Sequence, residues 1–528
     1  MYKLCGTVLL VAGLLLSAVA PASAQQRIFL PVVSAGQNDA TANAAAKAAQ
    51  GSKGYLIASA QPLTPEQVAQ LEKAGAVVKQ VYKNFGGAAA VITGNNVDQV
   101  RRLPFVTSLN EDTVKQLTAV STLPALSTSP LPGTPYWLDL IDAEKNSTYD
   151  GSGVWVAVLD TGFYPNWRDY FDPASILTEY ATAFVAVNGN QNENQWDVGS
   201  EPHGMAVSAT IVGYRFVDDA NEGGWGEGFA TGAAGTYWVP GVAPGAKIIP
   251  VKVCEPVGCY ESAINAGLDY VTSLKKANPA QPIVINESLG GSSLGVLEKA
   301  ALDAAIAAGV VVVASAGNEG DAGMGFPGAY EPVISTGAGG WTQQWDPYPD
   351  KTWWLDDVPE TGVDEVYIVG FSSRQKSGQY LDVISTGRYL LLPYPCAQLY
   401  KDGQVTSATN NRTCASKSTP DNSHAAPFQY LFISGTSFSS PTLAGIVALL
   451  LDKNGGLSNA DATFGTLGDP TSWGPGSLER LLEGSATPIA PGSVTITHRT
   501  GGPLTESWGA DATGHGWVFV DDALAATP

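Results

Sequence analysis

The chain has 528 residues, 44% of them hydrophobic and 15% charged, so it can bury a large core and is not a disordered polymer. Asp and Glu outnumber Lys and Arg by 49 to 28, a net charge of −21, which argues against nucleic acid and anionic membranes as partners. The 59 Gly and 34 Pro follow no Gly-X-Y period and so speak for turns and loops rather than a fibre.

Residues 1–24 read as a signal peptide. Lys3 is the basic end, 8–19 the apolar stretch, and Ala22-Ser23-Ala24 a small-residue cleavage site. The apolar run is too short to span a bilayer, which takes about 20 residues. The expected product is secreted, with no membrane association once the signal is removed. Cys5 leaves with the signal, and Cys254, Cys259, Cys396 and Cys414 remain. Of their three possible connectivities, the two local pairs Cys254–Cys259 and Cys396–Cys414 are expected in an oxidising compartment. No Cys-x2-Cys pair or His cluster suggests zinc.

A flexible leader, rich in Ala, Gln and Asn, is expected over 25–53. A small α+β unit follows over 54–116. Strands are expected at 54–59, 77–82, 88–93 and 106–111, and helices at 64–74 and 96–103. Thr64 is the N-cap of the first helix and Pro65 its first residue. Residues 117–133 lack periodicity and read as an exposed linker. From 134 to the end, fully apolar, β-branched runs at 154–159, 248–253, 283–285 and 310–314 alternate with helical patterns at 204–212, 261–276 and 294–308. That is the layout of an α/β fold with a doubly wound, mostly parallel sheet. Residues 341–430, rich in aromatics, Asp, Pro and Gly, read as long loops carrying some further strands. The charge changes sign along the chain. Residues 25–130 hold nine basic against six acidic side chains, and 131–528 hold 18 against 43. This asymmetry favours docking of the small unit on the large one, an attraction that salt screens.

Three segments can carry chemistry. A strand delivers Asp160 to its carboxyl end, where open α/β sheets place ligand sites. His203 opens a helix in His203-Gly204. Ser437 starts a nearly all-apolar helix in Gly435-Thr436-Ser437-Phe438-Ser439-Ser440-Pro441. A serine hydroxyl is a weak nucleophile without an adjacent base. An imidazole can take its proton and return it to a leaving group, and a carboxylate fixes the imidazole tautomer. A helix N-terminus adds an N–H near a developing oxyanion.

Asp-Thr-Gly, then His-Gly, then Gly-Thr-Ser-x-x-x-Pro, in that order, resembles the subtilisin-like serine proteases, the subtilases. The similarity extends over roughly 134–525, including Val242-Ala243-Pro244-Gly245, Ile285-Asn286-Glu287-Ser288-Leu289-Gly290-Gly291, Ala314-Ser315-Ala316-Gly317-Asn318 and Gly514-His515-Gly516-Trp517. The resemblance implies a secreted serine endopeptidase acting on proteins or peptides, in which Asp160, His203 and Ser437 form the triad and Asn318 donates to the oxyanion. It implies that Ser288, Leu289 and Gly290 pair with the substrate backbone, and that Ala314, Ser315, Ala316 and Gly317 form the other wall of the primary pocket. It implies that 54–116 is an inhibitory prosegment, an intramolecular chaperone removed by cleavage within 112–133. No cofactor is required for the chemistry. Structural calcium is a family possibility without assignable ligands here, and a monomer is expected. Phe438 replaces the Met common after the nucleophile, and Glu287 stands where an apolar residue is usual. Glu287 reads either as a buried core acid or as one reaching the substrate groove. The Gly- and Ala-rich pocket walls point to a bulky apolar or uncharged primary residue. Two other readings share these motifs: a silent extracellular binding protein and a peptide transferase or cyclase.

Overall fold

The computed structural model describes residues 52–118, 121–124, 134–186, 195–198, 201–218, 235–255, 258–344, 358, 362–395, 398–401, 404–408, 430–459, 477–497 and 502–528. The expected signal peptide and nearly all of the leader lie outside these residues, as do Cys396 and Cys414.

The central sheet is built from β7 (Trp155–Asp160), β8 (Thr182–Ala183), β11 (Lys247–Lys252), β14 (Ile283–Glu287), β16 (Val311–Ser315), β17 (Ile334–Trp341), β18 (Val366–Ile368) and β19 (Val383–Thr386). Their order is β18-β17-β16-β14-β7-β11-β8, with β19 also on β17. All neighbours are parallel except β17 and β18. The strands are apolar throughout because both faces are covered. Val156 and Val158 point to one side, where α3 (His203–Val212) and α6 (Thr436–Lys453) supply Met205, Ala209, Ile446 and Val447. Ala157 and Leu159 point to the other, against Ile264 and Leu268 of α4 (Glu261–Ala277) and Leu302 of α5 (Val296–Ala307). The expected doubly wound α/β fold is therefore present. From β7 the chain moves to β8 and β11 on one side and later to β14 on the other, so the carboxyl end of β7 lies at the switch point. β17 carries Gly337, Gly339 and Gly340, which hid it from a reading based on β-branched runs. An added Cβ on Gly339 would lie 2.4 Å from the Trp517 ring, so tight packing selects glycine there.

The small unit is a four-stranded antiparallel sheet, ordered β2 (Ala76–Val81), β3 (Gly87–Thr93), β1 (Ser52–Ala58), β4 (Ser108–Glu111). Helices α1 (Pro65–Lys73) and α2 (Val97–Arg101) accompany it, and Thr64 closes a capping box with Gln67. Strand alternation divides its apolar residues. Ile57, Ala90 and Ile92 cluster with Leu71 and Val100 of the two helices. Leu56, Ala58 and Ala89 instead join Leu297 and Ala301 of α5 in the core shared with the large domain. Directed polar contacts frame that interface. Asp112 accepts from Ser262 N and Oγ at the start of α4, and Asp269 accepts from Lys83 N and Asn84 N. The small unit is thus held by apolar burial and by carboxylates that accept from backbone N–H groups.

The exposed linker expected from 117 is corrected by the structure. β5 (Val114–Leu117) pairs antiparallel with β13 (Gly258–Tyr260) on one side and β15 (Leu289–Gly290) on the other. Thr118 is buried, and β6 (Ser121–Pro124) pairs with β23 (Tyr430–Ser434). Aperiodic sequence gives no strand signal because these strands borrow their partners from distant segments. Three other strands complete the numbering before β20: β9 (Tyr214–Asp218) with β10 (Gly235–Val239), and β12 (Cys254–Glu255), which pairs β13. β20 (Leu390–Pro393) pairs β23, and some of the further strands expected in 341–430 are thereby found.

Candidate active site

Asp160 ends β7 and His203 opens α3. Both are buried, and His203 Nδ1 lies 2.9 Å from each carboxylate oxygen of Asp160. Thr161 fixes this geometry. Its N–H donates to Asp160 Oδ1 at 2.6 Å, and its hydroxyl accepts from Gly204 N at 2.9 Å, tying the first turn of α3 to the end of the strand. A Cβ on Gly204 would fall 2.8 Å from Gly162 O, so the helix approaches this closely only with glycine. Asp-Thr-Gly and His-Gly are two halves of one joint.

Ser437 is the second residue of α6 and is fully buried. Pro441, four residues on, has no N–H to give the Ser437 carbonyl. Ser288 Oγ donates to that carbonyl instead, at 2.8 Å. Asn286 Nδ2 donates to Ser288 Oγ at 3.0 Å, and Ser440 Oγ to Asn286 Oδ1 at 2.8 Å, so one network ties the Ser437 turn to the end of β14. Asn286 is fully buried and committed to these bonds. Phe438 packs its ring against His203, with centroids 5.6 Å apart.

The chain that fills the groove is the protein's own. Thr118 N donates to Ser288 O at 3.3 Å, Leu117 pairs with Leu289, and Gln116 with Gly290. The Thr118 carbonyl accepts from Asn318 Nδ2 and, at a long 3.5 Å, from Ser437 N. Asn318 is oriented for this by Thr436, whose N and Oγ1 donate to Asn318 Oδ1 at 3.0 and 2.9 Å. The Ser437 hydroxyl lies 2.6 Å from Thr118 Oγ1 and donates to Ser288 O at 3.2 Å. His203 Nε2 is buried and has no hydrogen-bond partner among the described residues.

Of the expected pocket residues, Ser288, Leu289 and Gly290 meet the bound strand by main chain, and Ser315 Oγ reaches Thr118 Oγ1 at 2.9 Å. Ala314 pairs with Glu287 in the sheet, Ala316 bonds Thr336 and Gly325, and Gly317 N donates to Thr436 Oγ1 at 3.2 Å. Those three shape the wall from behind. The side chain against this expected wall is that of Thr118, uncharged but not bulky.

Sequence reasoning missed the second edge of the groove. β12 and β13 form a hairpin closed by the Cys254–Cys259 disulfide, and Cys259 pairs with Lys115. Gly258, at φ +124°, allows the closest approach, since a Cβ there would lie 2.5 Å from Lys115 O. It also missed Glu201, whose carboxyl is pushed upward by burial, with Tyr394 and His203 acting against that shift. Tyr394 OH donates to it. No cluster of three or more His, Cys, Asp or Glu among the described residues could hold a metal ion, so no calcium ligands are assigned.

An Asp–His couple and a serine at a helix N-terminus, on a doubly wound sheet, can be matched to known proteins. A family model described as the Subtilase family matches residues 151–501. The chain belongs to the subtilase family, the subtilisin-like serine-type endopeptidases. It is 29% identical to subtilisin E of Bacillus subtilis (strain 168) over 311 residues, covering 56% of this chain and 68% of that protein. Identity to subtilisin DY of Bacillus licheniformis is 27% over 357 residues, covering 65% and 96%. Among solved structures, this subtilase matches fervidolysin from Fervidobacterium pennivorans, described as a keratinolytic enzyme related to subtilisin. The TM-score is 0.55 at 20% identity, covering 90% of this chain and 61% of that one. This likeness carries the fold alone.

Proposed function

We propose that the chain is the exported zymogen of a serine endopeptidase, that residues 52–118 are its inhibitory prosegment, and that it cuts itself after Thr118. The observation that carries this reading is the seating of the Thr118 carbonyl on Asn318 Nδ2 and Ser437 N, with the chain before it strand-paired on both sides. In this reading Ser437 Oγ attacks the Thr118 carbonyl carbon while its proton passes to His203 Nε2. Asp160 holds the ring so that Nε2 faces the hydroxyl, and it stabilises the imidazolium. The carbonyl oxygen becomes an oxyanion between the Asn318 and Ser437 donors. Collapse breaks the bond to the Ala119 nitrogen, which takes the proton from His203. Water then hydrolyses the acyl-enzyme and leaves a carboxylate on Thr118. The Ser437 hydroxyl is engaged by Thr118 Oγ1 and Ser288 O, so a rotation about one side-chain torsion precedes attack.

The product strand would stay in the groove and inhibit until it is removed, and protein and peptide substrates would then pair with the same two edges. No helix among the described residues is long and apolar enough to cross a membrane. The sequence signal at 1–24 is what supports export.

The test is expression of the wild type and Ser437→Ala, followed by N-terminal sequencing and intact mass. A wild-type chain beginning at Ala119, and a variant still joined to its prosegment, is the expected pair. A mature end elsewhere, or the same cleavage in the variant, would overturn the reading.

A further inference from the structure

We infer that this protease selects a lysine at the fourth residue before the scissile bond, through a buried acidic subsite centred on Glu298. The inference rests on the reading of Thr118 as the residue before that bond, which makes Lys115 the fourth. Lys115 and Thr118 are buried at 3% and 4% exposure, while Val114 and Gln116 are exposed and Leu117 is half-buried.

Three acceptors surround the Lys115 ammonium. They are Glu298 Oε2 at 2.7 Å, Phe326 O at 2.9 Å and Ser293 O at 3.4 Å. An ammonium has three N–H donors, so the site satisfies it fully. The methylene stem crosses Gly291, where an added Cβ would lie 3.0 Å from Lys115 Cγ. The subsite therefore has a floor, a length and a charged end that fit one side chain.

The acids belong to the enzyme and the cation to the strand that must leave. Glu298 is fully buried on α5, and its Oε1 has no partner among the described residues. Glu287 lies fully buried at the end of β14 with both oxygens unpartnered. Burial pushes its carboxyl up to about 8, and the charges acting on it are those of Glu298 and Lys115. Glu261, on α4, accepts from Thr113 Oγ1 at 2.9 Å and borders the same group. Losing Lys115 strands a carboxylate in a medium that solvates it poorly, so the empty subsite gains by taking a cation from the next chain to bind. A neutral side chain leaves that charge unmatched, and an acidic one adds a like charge.

Glu298 has a second role that the test must separate. As the third residue of α5 it reaches back to Gly295 N at 3.4 Å, a contact that glutamine also makes. Glu298→Gln keeps the cap and the volume and removes the charge. The experiment measures kcat/KM of the matured enzyme on peptides of sequence 114–121, with lysine, norleucine or glutamate at the position of Lys115, and maps the cut by mass spectrometry. Lysine is expected to exceed norleucine by at least about tenfold, the scale of a buried charge-assisted hydrogen bond, with glutamate below both. In Glu298→Gln the lysine-to-norleucine ratio should fall to within about threefold. Equal cleavage of the lysine and norleucine peptides after the threonine, or a preference that survives Glu298→Gln, would overturn the subsite. Cleavage elsewhere, or none, would overturn the reading of Thr118 beneath it. The wild-type series decides the question even where the variant does not accumulate.

Discussion

The reaction centre and the lysine subsite lie on the same strand, three residues apart, and they are built on opposite principles. Around Thr118 nearly every polar atom is matched by a neutral or singly charged partner. Asp160 is met by His203 and Thr161, Asn318 is clasped by Thr436, and the bound chain is recognised by its main chain. Around Lys115 a single cation stands among Glu261, Glu287 and Glu298, with three carboxylate oxygens unpartnered. A backbone-reading centre tolerates many sequences, whereas a charged site in low dielectric discriminates sharply and depends on its occupant. In the proposed reading specificity is thereby placed away from the bond that is cut.

The comparison can be broken most forcefully at the reaction centre. Asn318→Ala removes the side-chain donor to the Thr118 carbonyl. It should lower kcat by about 10²–10³ with little change in KM, the magnitude established for such a donor in subtilisin itself. Steady-state kinetics on a neutral peptide would measure it, and a change confined to KM would remove Asn318 from the oxyanion site.

The subsite should declare itself in the pH dependence of stability. Burial, then Glu298, raises Glu287 to about 8 and Glu261 to about 7. Acids with raised folded values keep their protons in the native state while the unfolded chain loses them. The stability they confer is full below about pH 4.5 and drains away as pH rises through about 7 to 8. The uncut Ser437→Ala precursor should therefore melt at lower temperature at pH 8 than at pH 5. Glu287→Gln should flatten that slope by on the order of a few kcal/mol. An unchanged slope would show that Glu287 is not held protonated. The groups facing it are Glu298 and Lys115, and Glu261 acts through the same pair.

The smallest expected effect concerns the groove's second edge. Replacing Cys254 and Cys259 together by Ser opens a short loop, which costs about 2 kcal/mol. The hairpin that pairs with Lys115 loosens, so KM for the lysine peptide should rise several-fold while kcat is nearly kept. Equal loss in both constants would mean that the disulfide supports the whole domain rather than one edge.

Local pattern was enough for much of this protein. Apolar β-branched runs announced β7, β11, β14 and β16, because strands covered on both faces need no polar alternation. Thr64 and Pro65 marked the start of α1, because capping is settled within four residues. Asp160, His203 and Ser437 were legible because the joints that hold them are short. Thr161 reaches Gly204 next to His203, and Pro441 frees the carbonyl of Ser437 within one turn. β17 was hidden because its glycines answer to Trp517, Arg388 and Ile384, which are far away in sequence. The path of 112–124 was hidden for the same reason, since its strands pair with β13, β15 and β23. Glu287 was visible as an anomaly without a role, because its meaning lies in Glu298 and Lys115. The sequence by itself determined the fold class and the order in which Asp160, His203 and Ser437 follow one another. Only the tertiary structure decided which segment fills the groove, which carbonyl meets Asn318 and Ser437 and which acids face one lysine, because those contacts join residues about 170 to 320 positions apart.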